Sequence, residues 1–210
     1  MLDVLHLFGN WKWTGPTELA VHLAEMQAKA GHRVRFAFGR TRGADEHFPR
    51  QIAARGIPRA EGFELAKHFE PTSVFRDALR LARLVREDPP DLIHCHLPSD
   101  HLVAALARPL AKRRVPVVRS TYLPDGPGEG LRESWCLRTA TDALILPCEG
   151  ARERMPRARG FDAARASVIE PAIDTDRFDP DRDAGDGRAR LGIARDAFVL
   201  GIVARVQRKR

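Results

Sequence analysis

The chain has 210 residues, and a chain of this length buries roughly 70% of the surface that it exposes when unfolded, so it needs neither disulfides nor a metal to fold. Its three cysteines, Cys95, Cys136 and Cys148, are too few and too far apart for a disulfide framework or a zinc knuckle, and they indicate a reducing compartment. The net charge of +7 rests mainly on arginines scattered along the whole chain, which disfavours a nucleic-acid binder but is compatible with anionic lipid headgroups or nucleoside diphosphates.

The first predicted element is a strand over Asp3–Phe8. No basic segment precedes it, and its apolar run is too short for an export signal. No later run approaches the ~20 apolar residues of a membrane-spanning helix. We therefore expect a soluble, cytoplasmic protein.

From this strand onward, short apolar runs typical of strands buried on both faces alternate with longer amphipathic segments typical of helices. The alternation predicts an α/β fold with a doubly wound parallel sheet, Rossmann-like, in which ligands bind at the carboxyl ends of the strands. The predicted strands are Asp3–Phe8, Arg33–Phe38, Asp91–Cys95, Pro116–Arg119, Ala143–Leu146 and Ala166–Ile169, and the predicted helices are Pro16–Ala30, Asp45–Arg55, Thr72–Glu87, Ser99–Ala111, Leu131–Thr141 and Glu149–Arg157.

The loop after the first strand, residues 9–16, leads into a helix that we expect to be capped by Gly15 and to close at Gly31. It lacks the G-x-G-x-x-G pattern, which disfavours a nicotinamide or flavin site. The helix N-terminus still presents free N–H groups to a phosphate or a sugar hydroxyl. Trp11 and Trp13 either contact a ligand there or cover the core, and the sequence leaves both interpretations open.

The predicted strand that ends at Cys95 carries two histidines. Because side chains alternate between the faces of a strand, His94 and His96 share one face and Cys95 takes the other. A metal pair is disfavoured, since neither a carboxylate nor a third histidine follows at ligand spacing. We expect His94 to be a hydrogen-bonded core residue and His96 to lie in the cleft.

Three later strand ends also lead into polar or proline-rich loops. Residues 119–128 have the composition of a mobile loop beside the cleft, or of a simple surface connection. Residues 147–150 and 169–174 are typical of turns. Glu149 is expected in the first turn of a helix rather than as a catalytic base.

The predicted helix 72–87 carries a stripe of arginines opposite an apolar side. A solvated helix face is the default interpretation, and contact with an anionic membrane surface is the alternative. The stripe consists of Arg76, Arg80, Arg83 and Arg86.

Five segments, taken in order, carry a family resemblance. They are Gly15 with the helix that ends in Gly31-His32-Arg33-Val34, then Asp91-Leu92-Ile93-His94-Cys95-His96, residues 140–145, residues 168–178, and Leu200-Gly201-Ile202-Val203-Ala204-Arg205-Val206. In order and spacing they resemble the N-terminal half of family-4 glycosyltransferases of the GT-B fold. The resemblance implies two facing Rossmann-like domains, the first for a glycan or lipid-linked acceptor and the second for a nucleotide-sugar donor. It also implies sugar transfer with retained configuration and with neither a metal nor a further cofactor.

The resemblance assigns donor-binding roles to four residues. A glycine in the first loop lies near the donor diphosphate in the family, and Gly15 stands at that position here. An arginine and a lysine after the first strand of the second domain bind the diphosphate, which corresponds to Arg205 and to either Lys209 or Arg210. Cations at this place stabilise the charge that develops on the leaving diphosphate.

On the acceptor side, Trp11, Trp13 and Arg119 are the candidate binding residues. Family members place a histidine near the reacting sugar, whereas this chain has Tyr122 there. A tyrosine donates a hydrogen bond but is a poor general base at neutral pH, so His96 or substrate-assisted proton transfer must take that role. Tyr122 and His96 are therefore the candidate catalytic residues.

The resemblance also predicts the domain plan. The paired glutamates of the family's donor site are absent from the 210 residues. We therefore expect a truncated N-terminal portion with an acceptor domain over 1–178, a linker over 179–196 and the first donor-domain strand over 197–210. Such a chain would not transfer sugar alone. The alternative is a stand-alone module that binds an acceptor or a lipid headgroup without catalysis.

Overall fold

The computed structural model describes residues 1–40, 46–155, 161–181 and 185–202. Within these residues the strands are β1 (Asp3–Phe8), β2 (Arg33–Phe38), β3 (Leu92–Cys95), β4 (Val117–Ser120), β5 (Ala143–Leu146) and β6 (Ala166–Val168). The helices are α1 (Gly15–Lys29), α2 (His47–Ala54), α3 (Pro71–Glu87), α4 (Pro98–Leu110), α5 (Leu131–Ala140), α6 (Glu149–Arg154) and α7 (Gly187–Arg190), with a 3₁₀ turn at Ala163–Arg165.

In the part of the chain that the structure describes, the strands form one parallel sheet in the order β2-β1-β3-β4-β5-β6. The chain runs outward from β1 to β2 and then returns to the other side of β1 to form β3. This arrangement confirms the predicted doubly wound, Rossmann-like fold. It also places the reversal of strand order beside β1, where such sheets open a crevice at their carboxyl ends.

Alternate residues of each strand face opposite layers of helices, which is why the apolar runs are nearly continuous. Leu5, Leu7 and Cys95 belong to a core shared with α3, α4 and α5. Phe8 and Phe36 belong to a second core shared with α1 and α2. The two core layers hold β1 and β3 rigidly at the centre of the sheet.

Helix α1 follows its sequence signals closely. It begins at Gly15, so the residue before the helix is Thr14 and not Gly15 as expected. The hydroxyl of Thr17 accepts the N–H of Thr14 at 3.1 Å and thereby caps the first turn. Gly31 adopts a φ of +86°, the left-handed conformation that commonly terminates a helix and that favours glycine.

Most predicted boundaries agree with the structure to within one or two residues, the usual uncertainty of element ends. The predicted helix ends at Asp45 and Arg157 lie outside the described residues. The strand predicted over 197–210 is not formed by residues 197–202, and its remaining residues lie outside the described ones. The side chain of Phe198 is 90% exposed.

The chain divides into two compact units, residues 1–172 and residues 173–210, and β1 to β6 all belong to the first. The second unit contains α7 and several exposed apolar side chains, including Leu191 and Phe198. The division does not test the predicted plan of 1–178, 179–196 and 197–210, which stays a prediction. Over the described ranges, every helix is too short or too polar to cross a membrane.

Candidate functional site

The carboxyl ends of β1, β3 and β4 lie side by side in the sheet. The loops that follow these strands begin at Gly9, His96 and Thr121. These loops carry the candidate residues of the first loop, His96 and Tyr122. The fold therefore brings three of the predicted site segments to one edge of the sheet. This edge is also the crevice beside the reversal of strand order.

Three histidines stand together on the face of the sheet that packs against α1. His6 of β1 is in register with His94 of β3, and His96 follows two residues later on the same face. The ring centroids of His94 and His96 lie 4.4 Å apart, and the His6 centroid lies 5.2 Å from each. The sequence prediction for His94 is confirmed, because it is buried and bonded to the Ser120 hydroxyl at 2.8 Å.

The expectation that His96 lies open in the cleft is wrong. Its side chain is fully buried, at 0% exposure. The aromatic rings of Phe8, Phe36 and Tyr122 surround it at centroid distances of 6.1 to 6.3 Å. A ligand therefore meets Tyr122, which is partly exposed, before it can meet His96.

A chain of hydrogen bonds joins these side chains across the sheet. The hydroxyl of Tyr122 lies 2.6 Å from Nδ1 of His96. Nε2 of His96 lies 2.9 Å from Nδ1 of His6, and Nε2 of His6 lies 2.8 Å from Oε1 of Gln27 on α1. These hydrogen bonds thus run from Tyr122 at the edge of the crevice, through the buried histidines, to the half-buried amide of Gln27 on α1.

Burial determines the protonation of the three histidines. Desolvation lowers the pKa of His6 to about 4, against the weaker effect of its hydrogen bond to Gln27. Burial also lowers the pKa values of His94 and His96 well below the ordinary range, and the neighbouring histidines and Arg119 act in the same direction. All three imidazoles are therefore neutral near pH 7.

The same three histidines place potential metal-ligand nitrogens within 4.8 Å of one another. The sequence prediction overlooked this trio because the third histidine precedes the other two by about ninety residues instead of following them. The nitrogens of His6 and His96 point at each other in a hydrogen bond, and His94 is bonded to Ser120. A metal would have to break these bonds, so the geometry fits a hydrogen-bonded polar core better than a metal centre.

The buried carboxyl of Asp100 holds the crevice loops in place. It stands in the first turn of α4 and accepts the N–H of Gly9 at 2.8 Å and the N–H groups of His96 and Leu97 at 3.0 Å. Burial raises its pKa to about 7, whereas Arg119 and the three N–H donors act in the opposite direction. One side chain therefore fixes the end of β1, the end of β3 and the start of α4 relative to one another.

The first loop packs tightly against its surroundings at its beginning. A Cβ on Gly9 would lie 2.0 Å from Oγ of Ser99 and 3.1 Å from its Cβ, so a larger residue here requires the Ser99 side chain to move. The side chain of Asn10 accepts the N–H groups of Trp11 and Lys12 at 2.9 and 3.1 Å, which closes a tight turn. The contacts of Gly9 and Asn10 therefore hold the loop in a defined conformation.

The two tryptophans of this loop have different surroundings. Trp13 donates from Nε1 to Glu18 at 2.7 Å and packs edge-on against Phe48, which favours the interpretation that it covers the core. Trp11 is half-buried, with Nζ of Lys12 lying 4.8 Å from its ring centroid. Trp11 therefore retains ring surface that a ligand can reach.

Gly15 differs from the other glycines of the crevice. Among the described residues, nothing lies within 4 Å of the Cβ that an alanine would place there, and its φ is not in the left-handed region. Neither packing nor backbone conformation requires glycine at this position. Open space above the first turn of α1 is what a phosphate-binding helix N-terminus needs.

Arg119 is only 3% exposed and lies on the opposite face of β4 from the histidines. Its guanidinium donates to the carbonyl of Ser120 and lies 4.0 Å from Oε1 of Glu133. Within the described part of the chain, Nε of Arg119 and Oε1 of Glu133 make no hydrogen bond. In this conformation Arg119 presents almost no surface to an acceptor, and its acceptor-binding role stays a prediction.

The arginine stripe on α3 has partners within the chain. Arg76 pairs with Glu64 at 3.4 Å, and Arg83 pairs with Glu87 at 2.8 Å. Arg80 and Arg86 donate to the backbone carbonyls of Glu61 and Leu110. These contacts account for the arginines as a solvated, ion-paired helix face.

The family described as Glycosyltransferase Family 4 matches residues 13–177, which include α1, β2 to β6 and the crevice loops that follow β3 and β4. The chain belongs to this family. The match confirms the resemblance inferred from the sequence and makes the chain part of a sugar transferase family.

The chain is also similar to curated relatives and to solved structures. D-inositol 3-phosphate glycosyltransferase 1 of Catenulispora acidiphila is 33% identical over 133 residues, which is 56% of this chain and 31% of that protein. The Anabaena protein HepE, solved in complex with UDP-glucose, has a TM-score of 0.68 and 18% identity over 91% of this chain and 50% of its own. A glycosyltransferase from Rickettsia africae has a TM-score of 0.69 and 14% identity over 90% of this chain and 48% of its own.

The structural likenesses show the GT-B type of fold for this family-4 chain. The chain spans about half the length of these solved structures and a smaller share of the curated relative. Of the predicted family residues, the fold brings His96 and Tyr122 into direct contact. Arg205, Lys209 and Arg210 lie outside the described residues, so the donor-binding roles of these cations stay predictions.

Sequence reasoning did not single out His6, Gln27 and Asp100, which the structure bonds to the candidate site residues or to the crevice loops. A signal for His6 was present, since it interrupts the apolar strand Asp3–Phe8 on the same face as His94 once β1 and β3 are neighbours. A signal for Asp100 was its place two residues after Pro98 at the start of a helix. Gln27 carries no pattern that distinguishes it from a surface residue of α1.

Proposed function

We propose that the chain is the acceptor-side domain of a glycosyltransferase that uses a nucleotide-diphosphate sugar and retains the anomeric configuration. The observation that carries the proposal is the family match over residues 13–177, which covers the crevice formed after β3 and β4 and the donor-side end of the first loop. The complex of HepE with UDP-glucose supports a uridine nucleotide as the donor. The acceptor is a hydroxyl of a glycan or of a lipid-linked molecule.

In this proposal the N-terminus of α1 faces the donor diphosphate. Pro16 has no N–H and the N–H of Thr17 is capped by the Thr14 side chain, so a phosphate oxygen would meet the N–H of Gly15 and the partial positive charge of the helix end. The open space at Gly15 allows a diphosphate to approach the backbone. In the same loop, the half-buried ring of Trp11 offers a flat apolar surface for a sugar or a base.

We propose that Arg205, with Lys209 or Arg210, binds the donor diphosphate. In this proposal the 210 residues, which span about half the length of HepE, carry only part of the donor contacts. The chain should therefore bind a nucleotide-sugar weakly, with a Kd on the order of 1 mM, and should not transfer the sugar. The reaction needs no cofactor beyond the donor.

Calorimetric titration of the purified chain with UDP-glucose and with glucose tests the proposal. We expect weak binding of the nucleotide-sugar and none of glucose, because the diphosphate provides the contact at α1. Gly130 offers a matched control for changes at Gly15, since both positions are open and lack a left-handed φ. Binding that is lost in Gly130→Ala but retained in Gly15→Ala, or no binding of UDP-glucose to the folded chain, would refute the donor site.

The acceptor class needs a separate test. The Catenulispora acidiphila relative is named for D-inositol 3-phosphate, a phosphorylated polyol. Our proposal names a glycan or a lipid-linked acceptor instead. Titration of the chain with D-inositol 3-phosphate, with a short oligosaccharide and with a detergent-solubilised lipid-linked sugar distinguishes these classes. Preferential binding of the inositol phosphate would contradict the acceptor part of the proposal.

Peripheral contact with an anionic membrane is a second candidate function, and one observation favours it. Phe75 and Leu79 are 58% and 45% exposed, one turn apart on α3, and they lie beside the arginines of the stripe. Apolar residues bordered by arginines are typical of helices that lie in a membrane interface. The ion pairs of Arg76 and Arg83 reduce the free charge available for lipids.

Co-sedimentation with vesicles that contain anionic lipid tests this second function. Arg76→Glu with Arg83→Glu should abolish binding if α3 contacts the membrane. Lys112→Glu with Arg113→Glu changes the net charge equally at the end of α4 and serves as the control. Equal binding of both double variants would exclude a membrane role for α3.

A further inference from the structure

The hydrogen-bond chain from Gln27 to Tyr122 has a defined direction. Oε1 of Gln27 is an acceptor, so Nε2 of His6 donates to it at 2.8 Å. A neutral imidazole carries one proton, so Nδ1 of His6 must accept from Nε2 of His96 at 2.9 Å. Nδ1 of His96 must then accept, and the hydroxyl of Tyr122 donates to it at 2.6 Å.

We propose that Gln27 and His6 are positioning residues that fix the tautomer of His96 and thereby direct the Tyr122 hydroxyl proton into the core. The three histidine-containing links are buried or half-buried, so water does not compete for them. Tyr122 is the end of the chain that lies at the crevice. The orientation of the Tyr122 hydroxyl is therefore set by Gln27, which lies on α1 and not in the sheet.

The direction of the Tyr122 hydroxyl proton determines which ligand group can form a hydrogen bond to the phenol oxygen. A phenol has one proton, and here that proton is committed to His96, so the oxygen offers only lone pairs to the crevice. The inference rests on the proposed function, and it assigns to Tyr122 a neutral hydroxyl of a sugar rather than a phosphate oxygen. A phosphate oxygen has no proton to donate and would be repelled by the phenol oxygen.

The hydrogen-bond chain orients the proton of the Tyr122 hydroxyl and does not take it up. A proton moved inward from Tyr122 would leave His6 as a buried imidazolium, and no carboxylate among its bonded neighbours would compensate that charge. Transfer along the chain is therefore unfavourable. The acceptor hydroxyl must lose its proton elsewhere, as in substrate-assisted transfer to the leaving diphosphate.

Nitrogen-15 NMR of the histidine-labelled chain tests the direction without any ligand, because protonated and unprotonated imidazole nitrogens have distinct shifts. We expect His6 and His96 to be neutral and protonated at Nε2. In Gln27→Leu the fixed direction should be lost and both tautomers of His6 and His96 should appear. Gln27→Glu, which can only accept, should preserve the original tautomers.

Met26→Leu is the matched control, since Met26 is the exposed neighbour of Gln27 on α1 and should leave both tautomers unchanged. Protonation of His96 at Nδ1 in the unmodified chain would reverse the direction and overturn the proposal. Unchanged tautomers in a folded Gln27→Leu variant would overturn the positioning role of Gln27. If Gln27→Leu does not fold, the histidine tautomers of the unmodified chain and of Gln27→Glu still test the proposed direction of the hydrogen bonds.

The ligand part of the inference is tested by titration with UDP-glucose and UDP. We expect UDP-glucose to bind about fivefold more tightly than UDP, and Tyr122→Phe to abolish that difference, because phenylalanine lacks the accepting oxygen. An equal loss for both nucleotides would place Tyr122 on the phosphates and contradict the inference. If neither nucleotide binds while the tautomers are as expected, the proposed function fails and the positioning of Tyr122 stands.

Discussion

The hydroxyl of Tyr122 lies 2.6 Å from Nδ1 of His96, a side chain that is completely buried. This contact joins the loop after β4 to the core of the sheet. The two candidate catalytic residues therefore act as one unit, in which Tyr122 meets the crevice and His96 sets its orientation. His96 is not positioned to act directly on a substrate in this conformation.

The ionisation of Tyr122 should be displaced upward. Burial raises its pKa above the ordinary value of about 10, Asp100 acts in the same direction, and Arg119 acts against it more weakly than burial. Tyr122 is the only tyrosine in the sequence, so an ultraviolet absorbance titration reports on it alone. A midpoint at or below the ordinary value in the folded chain would show that the phenol is not held as described.

Removing the phenol oxygen should destabilise the fold. In Tyr122→Phe, Nδ1 of buried His96 loses its donor, which should cost about 1–3 kcal/mol in the free energy of unfolding measured with urea. Leu123→Ala is the control, because this neighbouring side chain is 64% exposed and should change stability by less than about 0.5 kcal/mol. Equal stabilities of the two variants would mean that the contact contributes nothing.

The fold was predictable because it rests on local patterns. Alternating apolar runs and amphipathic segments identified β1 to β6 and α1 to α6, most of them with ends within one or two residues of those observed. The site was only partly predictable, because His6 lies about ninety residues before His96 and the two meet only through the strand order. Exposure was the weakest inference, since the position of His96 after a strand gave no indication that aromatic rings would cover it.

Gly15 and Gly39 should respond oppositely to alanine. A Cβ on Gly39 would lie 2.7 and 2.8 Å from backbone atoms of Asn10 and Leu65, so Gly39→Ala should cost at least about 1–3 kcal/mol of stability. Gly15→Ala meets open space and should leave stability unchanged or slightly higher, as alanine favours helix. It should still weaken UDP-glucose binding about tenfold, because the methyl group occupies the space proposed for the diphosphate.

Thermal unfolding and calorimetric titration of the two variants check this contrast. Gly130→Ala controls for the change of glycine to alanine at an open position. Loss of stability in Gly15→Ala would indicate a packing role that the structure does not show. Unchanged UDP-glucose binding in that variant would remove Gly15 from the donor site.

The buried histidines should make the protein sensitive to mild acid. Burial lowers the pKa of His101 to about 3, against about 6.5 in an unfolded chain. As the pH falls from 6.5 to 5, the unfolded chain takes up a proton at this position and the folded chain does not. The free energy of unfolding should therefore decrease as the pH falls, by about 2 kcal/mol from this residue alone.

Urea unfolding of His101→Gln at pH 7 and pH 5 isolates this effect, since glutamine can keep the hydrogen bond to the Thr141 hydroxyl. The variant should lose about 2 kcal/mol less than the unmodified chain over this interval. His68→Gln removes an exposed imidazole and serves as the control. Asp100 acts in the opposite direction but is common to all three proteins, so it cancels in the comparison. The same acid dependence in all three would contradict the assignment.

The proposed function requires the edge formed by β1, β3 and β4 to bind a nucleotide-sugar. Backbone amide NMR of the chain titrated with UDP-glucose reports this binding residue by residue. We predict shift changes that concentrate at residues 9–16 and at Tyr122 and that grow towards saturation at millimolar ligand. Changes confined to the basic residues at the end of α4, or no changes in the folded chain, would show that this edge does not bind the nucleotide-sugar.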